Sequence, residues 1–290
     1  MSDQRFETRA LHAGQEKNEQ VPSRGVPVHR TTAYNFRDTE HAADLFSLKE
    51  PGYIYTRIMN PTQDVLERRI ASLEGGAAAL AVASGTSAIF YAITNIAEAG
   101  DEIVSSSHLY GGTYTMFNDI LPRYGMSTRF VDPLDLASMK AAINDSTRAV
   151  FIESIGNPAL TVPDFTAVAK IAHGAGVPLI VDSTFATPYL LRPIEHGADI
   201  VIHSLTKWIG GHGTGIGGVV IDSGKFDWTN PRFRTMNEPE PSYHDIRFAH
   251  DLGDLNPIGY LLRMRLVPLR NLGAAIAPDN AWLFLQGTET

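Results

Sequence analysis

The sequence predicts an α/β fold: a mainly parallel seven-stranded sheet with helices on both faces. Three observations predict it. Seven short apolar runs are spaced along the chain from residue 79 onward. Stretches with apolar residues at helical spacing lie between most of them. The 290 residues, 43% of them hydrophobic, are enough for one large core.

The elements follow in order. Residues 1–60 are poor in periodic pattern and rich in Arg, Pro and Thr, so they read as an extended arm that buries little by itself. "NPTQDVLERRIASLEG" opens on Pro61 and Thr62, places Val65, Leu66, Ile70 and Leu73 at helical spacing, and stops at Gly75. The predicted strands are "ALAVAS" (79–84), "EIVSSS" (102–107), "STRFVD" (127–132), "AVFIES" (149–154), "PLIVDS" (178–183), "DIVIHS" (199–204) and "GVVID" (218–222). "SAIFYAITNIAEAG", "DLASMKAAIN" and "DFTAVAKIAHGAG" read as helices between them. No internal repeat or low-complexity tract interrupts this pattern.

Composition excludes several classes of function. The net charge of −8 gives no basic surface for nucleic acid or anionic membrane. The absence of cysteine removes disulfides, thiolate catalysis and thiolate zinc sites together. No apolar run reaches membrane-spanning length, and "MSDQRFETRALHAGQ" has no apolar leader core, so a cytoplasmic protein is expected. The ten histidines include no H-E-x-x-H, and their spacing predicts no metal site. "GTGIGG" matches G-x-G-x-x-G, but a strand follows it where a dinucleotide site needs a helix.

Ligands in such sheets bind beyond the carboxyl ends of the strands, so the residues ending each strand matter most. After "ALAVA" comes Ser84-Gly85-Thr86-Ser87 and then a helix, a turn that caps the helix or holds an anion. After "PLIV" comes Asp182, a carboxylate that is costly at a buried strand end unless it is paired. It either caps the next turn or holds a cationic ligand atom. After "DIVIH" come Ser204, Thr206 and Lys207. Two hydroxyls suit a phosphate; in extended chain they share one side and Lys207 faces the other. The apolar neighbours Trp208 and Ile209 are expected to desolvate the Lys207 amine and favour its attack on an aldehyde. Asp182 precedes Lys207 by about one strand–helix–strand crossover, which allows both to reach one sheet edge. His203 and His212 read as hydrogen-bonding scaffold. An anion site at a helix start, a carboxylate for a ring nitrogen and a lysine for an aldehyde together specify pyridoxal 5′-phosphate.

"YIYTRIMNPTQDVLERRIASLEGG", "ASGTSAI", "SSSHLYGGTY", "FIESIGNP", "VDSTFATP" and "HSLTKWIGGHG" occur in the order of the Cys/Met-metabolism family of pyridoxal-phosphate enzymes, which the whole chain resembles. "FETRALHAGQ", "TEHAADLFSLKEPG", "EPEPSYHD" and "LRNLGAAIAPDNAWLFLQGTET" are similar to its sulfhydrylase branch. The resemblance implies a fold-type I large domain over residues 61–250, an N-terminal arm over 1–60 for subunit contacts, and linking helices over 251–290 that lead into a C-terminal domain absent from this sequence. It implies that Lys207 carries the cofactor as a Schiff base and that Asp182 pairs with the ring nitrogen. Gly85 and Thr86 (through backbone amides), Ser204 and Thr206 would hold the phosphate. Tyr110 would stack on the ring and take part in catalysis, and Asn157 would approach the ring hydroxyl. Tyr55 and Arg57 would reach the phosphate in a neighbouring subunit, within a homotetramer built from dimers that share active sites. The implied reaction is γ-replacement on O-acetylhomoserine by sulfide, giving homocysteine and acetate. Methionine γ-lyase, cystathionine γ-synthase or O-succinylhomoserine sulfhydrylase chemistry would use nearly the same site, and a catalytically idle assembly partner is the alternative of another class. Ser183 stands where Asn is common, and Pro268 is expected to kink a helix. The final helix is expected to lack a packing partner for Trp282, Leu283 and Phe284.

Overall fold

All seven apolar runs form strands in the computed structural model, which describes residues 4–16 and 22–290. They are β1 Ala78–Val82, β2 Glu102–Ser106, β3 Ser127–Val131, β4 Thr147–Glu153, β5 Leu179–Asp182, β6 Ile200–His203 and β7 Gly218–Asp222. One sheet holds them in the order β1-β7-β6-β5-β4-β2-β3. Every pairing is parallel except those of β7, which runs antiparallel to both β1 and β6. The carboxyl ends of β1, β2, β4, β5 and β6 therefore share one edge with the start of β7.

Alternation along each strand divides the core between two faces. Leu80, Ile180, Ile200, Ile202 and Val220 pack on one side, and Val181, Val201, Val219 and Ile221 on the other. The helices that cover them follow the chain: α1 Phe6–His12, α2 Thr39–Phe46, α3 Pro61–Glu74, α4 Gly85–Thr94, α5 Gly111–Thr115, α6 Leu136–Ala142 and α7 Phe165–Gly174. α4 contributes Ala88, Ala92 and Ile93 to the first face. α3 and α7 contribute Leu66, Ile70, Val168 and Ala172 to the second. The start of α3 is set by Asn60, whose side chain accepts the Thr62 N–H, and its end by Gly75 at φ 76°.

The arm is less extended than its composition implies. Residues 1–3 and 17–21 lie outside the described residues. The rest carries α1, which buries Ala10 against α3, and α2, which is capped by Asp38 accepting the His41 N–H. Short backbone pairings, Tyr34 N–H to Ile54 and Thr56 N–H to Thr32, fold residues 32–34 onto 54–56.

The last residues also depart from expectation. Helix Pro278–Gly287 lies along α3, and Phe284 is 1% exposed, packed into the space left by Gly210 and Gly217. Arg69 of α3, fully buried, bonds Glu289 at 3.0 Å and the Ala13 carbonyl at 3.2 Å, which fastens the arm, α3 and the last turn together. Pro268 has the anticipated effect: the backbone widens to a π-turn over Arg265–Leu269, because the proline has no N–H to give its helix. Among the described residues no helix is long and apolar enough to cross a membrane.

Candidate active site

A cavity of about 630 Å³ opens at the shared strand edge. Its lining includes Gly85, Thr86, Tyr110, Asn157, Asp182, Ser204, Thr206 and Lys207, eight of the ten residues singled out from sequence. Each arrives from a different part of the chain for a local reason.

Ser84 caps α4 by accepting the Ser87 N–H at 3.1 Å, and its hydroxyl lies 3.1 Å from that of Thr86. The amides of the helix's first turn have no carbonyl within the helix to bond. A Cβ added at Gly85 would meet Ser204 Cβ at 2.6 Å, so only glycine lets the α4 turn close on the β6 turn. Gly218, at the start of β7, is tighter still: its Cβ would lie 2.2 Å from the Ser84 carbonyl oxygen. Within "GTGIGG", Gly218 thus serves close packing against the Ser84 backbone, while Gly215 and Gly217 make room for the Phe284 ring.

Residues after β6 turn rather than extend. Lys207 N–H donates to the Ser204 carbonyl at 3.2 Å, which brings Ser204, Thr206 and Lys207 to the same cavity instead of opposite sides. The Thr206 hydroxyl is engaged with Gly217, accepting its N–H at 3.1 Å. The expected apolar cover over Lys207 is absent from this chain: Lys207 is exposed, and Trp208 is 64% exposed.

Asp182 ends β5 in the cavity wall. Thr184 donates to its Oδ1 twice, from N–H at 3.0 Å and from the hydroxyl at 2.6 Å. The Thr184 hydroxyl also accepts the Ser204 N–H at 2.8 Å, so one side chain ties the end of β5 to the end of β6. Burial pushes the Asp182 carboxyl up from its ordinary value, against the Thr184 bonds and the nearby His203, which pull it down. Ser183 gives Asp182 no bond; its hydroxyl is buried with no partner among the described residues.

Glu153, which sequence reasoning missed, also lines the cavity. It closes β4 directly beside Asp182 and is pushed up to about 8 by burial first and by the Asp182 charge second. Its signal was visible: a carboxylate ending an apolar strand, the same pattern that singled out Asp182. Thr184 had no such signal, since its role depends on which strand becomes the neighbour of β5. His203 points to the opposite face, where its Nε2 lies 2.5 Å from Glu74 Oε1 with both side chains fully buried, as scaffold.

Tyr55 and Arg57 are not among the lining residues. The Arg57 guanidinium lies over the Tyr55 ring, 5.3 Å from its centroid, and donates to the Arg270 carbonyl at 2.7 Å.

The residues present fit a phosphorylated pyridine aldehyde. A helix start and a glycine-made cradle beside Ser204 suit the phosphate. A buried carboxylate whose charge is opposed by its surroundings gains from a cationic ring nitrogen. Lys207, an exposed amine, lines the same cavity and suits reaction with an aldehyde. Fold and site together define the large domain of a fold-type I pyridoxal-phosphate enzyme.

The chain belongs to the Cys/Met metabolism PLP-dependent enzyme family, whose model matches residues 7–290. It is 55% identical to homocysteine synthase of Schizosaccharomyces pombe, over all of this chain and 68% of that protein. It is 54% identical to O-acetyl-L-homoserine sulfhydrylase of Leptospira meyeri, over 98% of this chain and 65% of that one. Among solved structures, a candidate O-acetylhomoserine (thiol)-lyase of Campylobacter jejuni superposes with a TM-score of 0.94 at 42% identity, covering 99% of this chain and 71% of that one. That structure contains a pyridoxyl-lysine monophosphate. The chain spans about two thirds of the length of these curated relatives.

Proposed function

We propose that this chain is the cofactor-binding part of an O-acetylhomoserine sulfhydrylase, converting O-acetyl-L-homoserine and sulfide to L-homocysteine and acetate in methionine biosynthesis. The observation that carries the reading is the convergence of Lys207, Asp182, Ser204 and the α4 start on one cavity. The relatives at 54–55% identity, named for this activity or its product, support the choice of reaction.

Pyridoxal 5′-phosphate, when bound, supplies an electron sink for charge developing on the substrate. Lys207 would hold it covalently. Gly85 and Thr86 amides with the Ser204 and Thr206 hydroxyls would hold the phosphate. Asp182 would keep the ring nitrogen protonated, Tyr110 would cover the ring face, and Asn157 would bond the ring hydroxyl. The Lys207 amine would move a proton at the substrate's α-carbon. Tyr55 and Arg57 would serve the cavity of a second copy, so the arm over 1–60 would act in assembly, the domain over 61–250 in cofactor binding and 251–290 as the link onward. We assign the protein to the cytoplasm and to a homotetramer of such dimers.

The test incubates the protein with pyridoxal 5′-phosphate, O-acetylhomoserine and sulfide and identifies the product. Homocysteine with acetate is expected. α-Ketobutyrate would mean a γ-lyase, and turnover only with O-succinylhomoserine or cysteine would mean one of the sister activities. In parallel, borohydride should fix the cofactor to the wild type and not to Lys207→Ala. Fixation to that variant would overturn the assignment of Lys207.

A further inference from the structure

Glu153 makes contacts that the roles above leave unused. It pairs in register with Asp182 on the neighbouring parallel strand, so both carboxyl groups leave the sheet on the same face and meet the same cavity. It is 6% exposed. Its Oε1 accepts the Tyr110 N–H at 2.7 Å, and the Asn157 N–H is turned toward the same carboxyl group, where it favours the ionised form. These donors belong to separate loops: Tyr110 lies between β2 and α5, and Asn157 lies beyond the end of β4. One buried side chain therefore fastens the Tyr110 loop and faces the Asn157 loop, whose residues are assigned to the face and to the hydroxyl edge of the cofactor ring.

We propose that Glu153 is a positioning residue of the cofactor cavity: its carboxylate fixes the Tyr110 and Asn157 loops around the ring and, beside Asp182, adds a second negative charge against the cationic ring nitrogen. This rests on the reading that the cavity holds a pyridoxal phosphate. Two carboxylates side by side are costly in a buried wall unless a cation faces them. The titratable groups around Glu153 are Asp182 on β5, the Tyr110 phenol, His108 in the same segment, engaged with Thr161, and Lys207 in the cavity wall. Without the ring, burial and Asp182 hold Glu153 at about 8, so it is mostly protonated near neutrality. A cationic ring favours its ionised form. The proton leaves to solvent, the Tyr110 N–H bond becomes charge-assisted and stronger, and the attraction of the carboxylate for the Asn157 N–H grows. Ring binding should thus release a proton from Glu153 and tighten as pH rises toward 8.

The test uses pyridoxamine 5′-phosphate, which has the ring, phosphate and nitrogen but no aldehyde to react with Lys207. Its affinity and the protons released on binding are measured by calorimetry in buffers of different ionisation heat from pH 6.5 to 9, for the apo wild type, Glu153→Gln and Asp182→Asn. The amide of Glu153→Gln keeps an acceptor for the Tyr110 and Asn157 N–H groups, so a purely structural role would survive it. We expect Glu153→Gln to bind about tenfold or more weakly at pH 8, to lose part of the proton release, and to melt at an unchanged temperature without ligand. Asp182→Asn should also release fewer protons than the wild type, because it removes the neighbouring charge that raises Glu153. Equal affinity and equal proton release in wild type and Glu153→Gln would overturn the proposal. So would wild-type binding that releases no proton across this range, a result that needs no variant to fold. Failure of the wild type to bind at all would instead remove the reading of the cavity, and the proposal with it.

Discussion

Asp182 is held by bonds that an amide can keep. Both Thr184 donors go to Oδ1, which Asp182→Asn retains, and the substitution removes a charge that burial disfavours. The variant should therefore melt at or slightly above the wild-type temperature. Its turnover should fall roughly a hundredfold or more, because a neutral amide cannot hold the ring nitrogen protonated. Steady-state rates at saturating cofactor, set beside melting curves, check this; unchanged turnover would reduce Asp182 to a cap. Asp182, Lys207 and Ser204 were legible in the sequence because a polar residue ending an apolar strand has few reasons to be there. The direction of the Lys207 side chain was not legible. Strand alternation fails one residue past the strand, where the Lys207-to-Ser204 turn takes over. The desolvation expected from Trp208 also failed, since an apolar neighbour in sequence covers a side chain only if something packs it down, and Trp208 faces solvent.

The central strands were the most legible elements, because β4, β5, β6 and β7 are almost wholly buried and read as apolar runs, whereas the edge strand β3 is exposed or half-buried along its length. α1 and α2 were hidden, since seven or eight residues give too few turns for periodicity to stand out. The partner of the final helix was hidden for a different reason: it is α3, more than two hundred residues earlier. β7 carries a consequence of its own. Asp222 ends it with Oδ2 buried and unpartnered among the described residues, while Oδ1 accepts the Gly224 N–H at 2.8 Å. Burial, with a smaller push from Asp199, raises its carboxyl to about 7. The folded state thus binds this proton more tightly than the unfolded chain. Stability from this group is full below the ordinary carboxylate range, declines as pH climbs from about 4 to about 7, and is lost above that. Asp222→Asn keeps the Oδ1 acceptor and has no proton to lose. It should match the wild type in denaturant unfolding near pH 4 and exceed it by roughly 2–4 kcal/mol at pH 8. An equal difference at both pH values would show that Asp222 does not titrate in this range.

At the scale of the whole molecule, eight of the ten residues proposed for the cofactor line one cavity, and Tyr55 and Arg57 do not. The Arg57 guanidinium lies over the Tyr55 ring and donates to the Arg270 carbonyl, outside the cavity of its own chain. Phe185, Tyr189, Leu190, Trp208 and Ile216 are all exposed, and Phe185, Trp208 and Ile216 line the cavity mouth. A closed two-fold pair would bury apolar surface of this kind and exchange arms reciprocally, each copy lending Arg57 to the other. Such sharing has a quantitative signature that a monomer cannot mimic. On the proposed roles, Lys207→Ala would remove the covalent anchor from one copy's own cavity, and Arg57→Ala would remove the phosphate ligand from the partner's. Each variant alone should lose most of its turnover. When the two are mixed, unfolded and refolded together, about half of the pairs combine one of each. In a mixed pair one cavity carries both defects and the other carries neither. Roughly a quarter of all cavities should then be intact, and turnover should rise to about that fraction of wild type. The assay compares co-refolded with separately refolded variants at equal total protein. If co-refolding gives only the average of the two variants, Arg57 serves its own chain, and its contact with Arg270 is the place to look for its role.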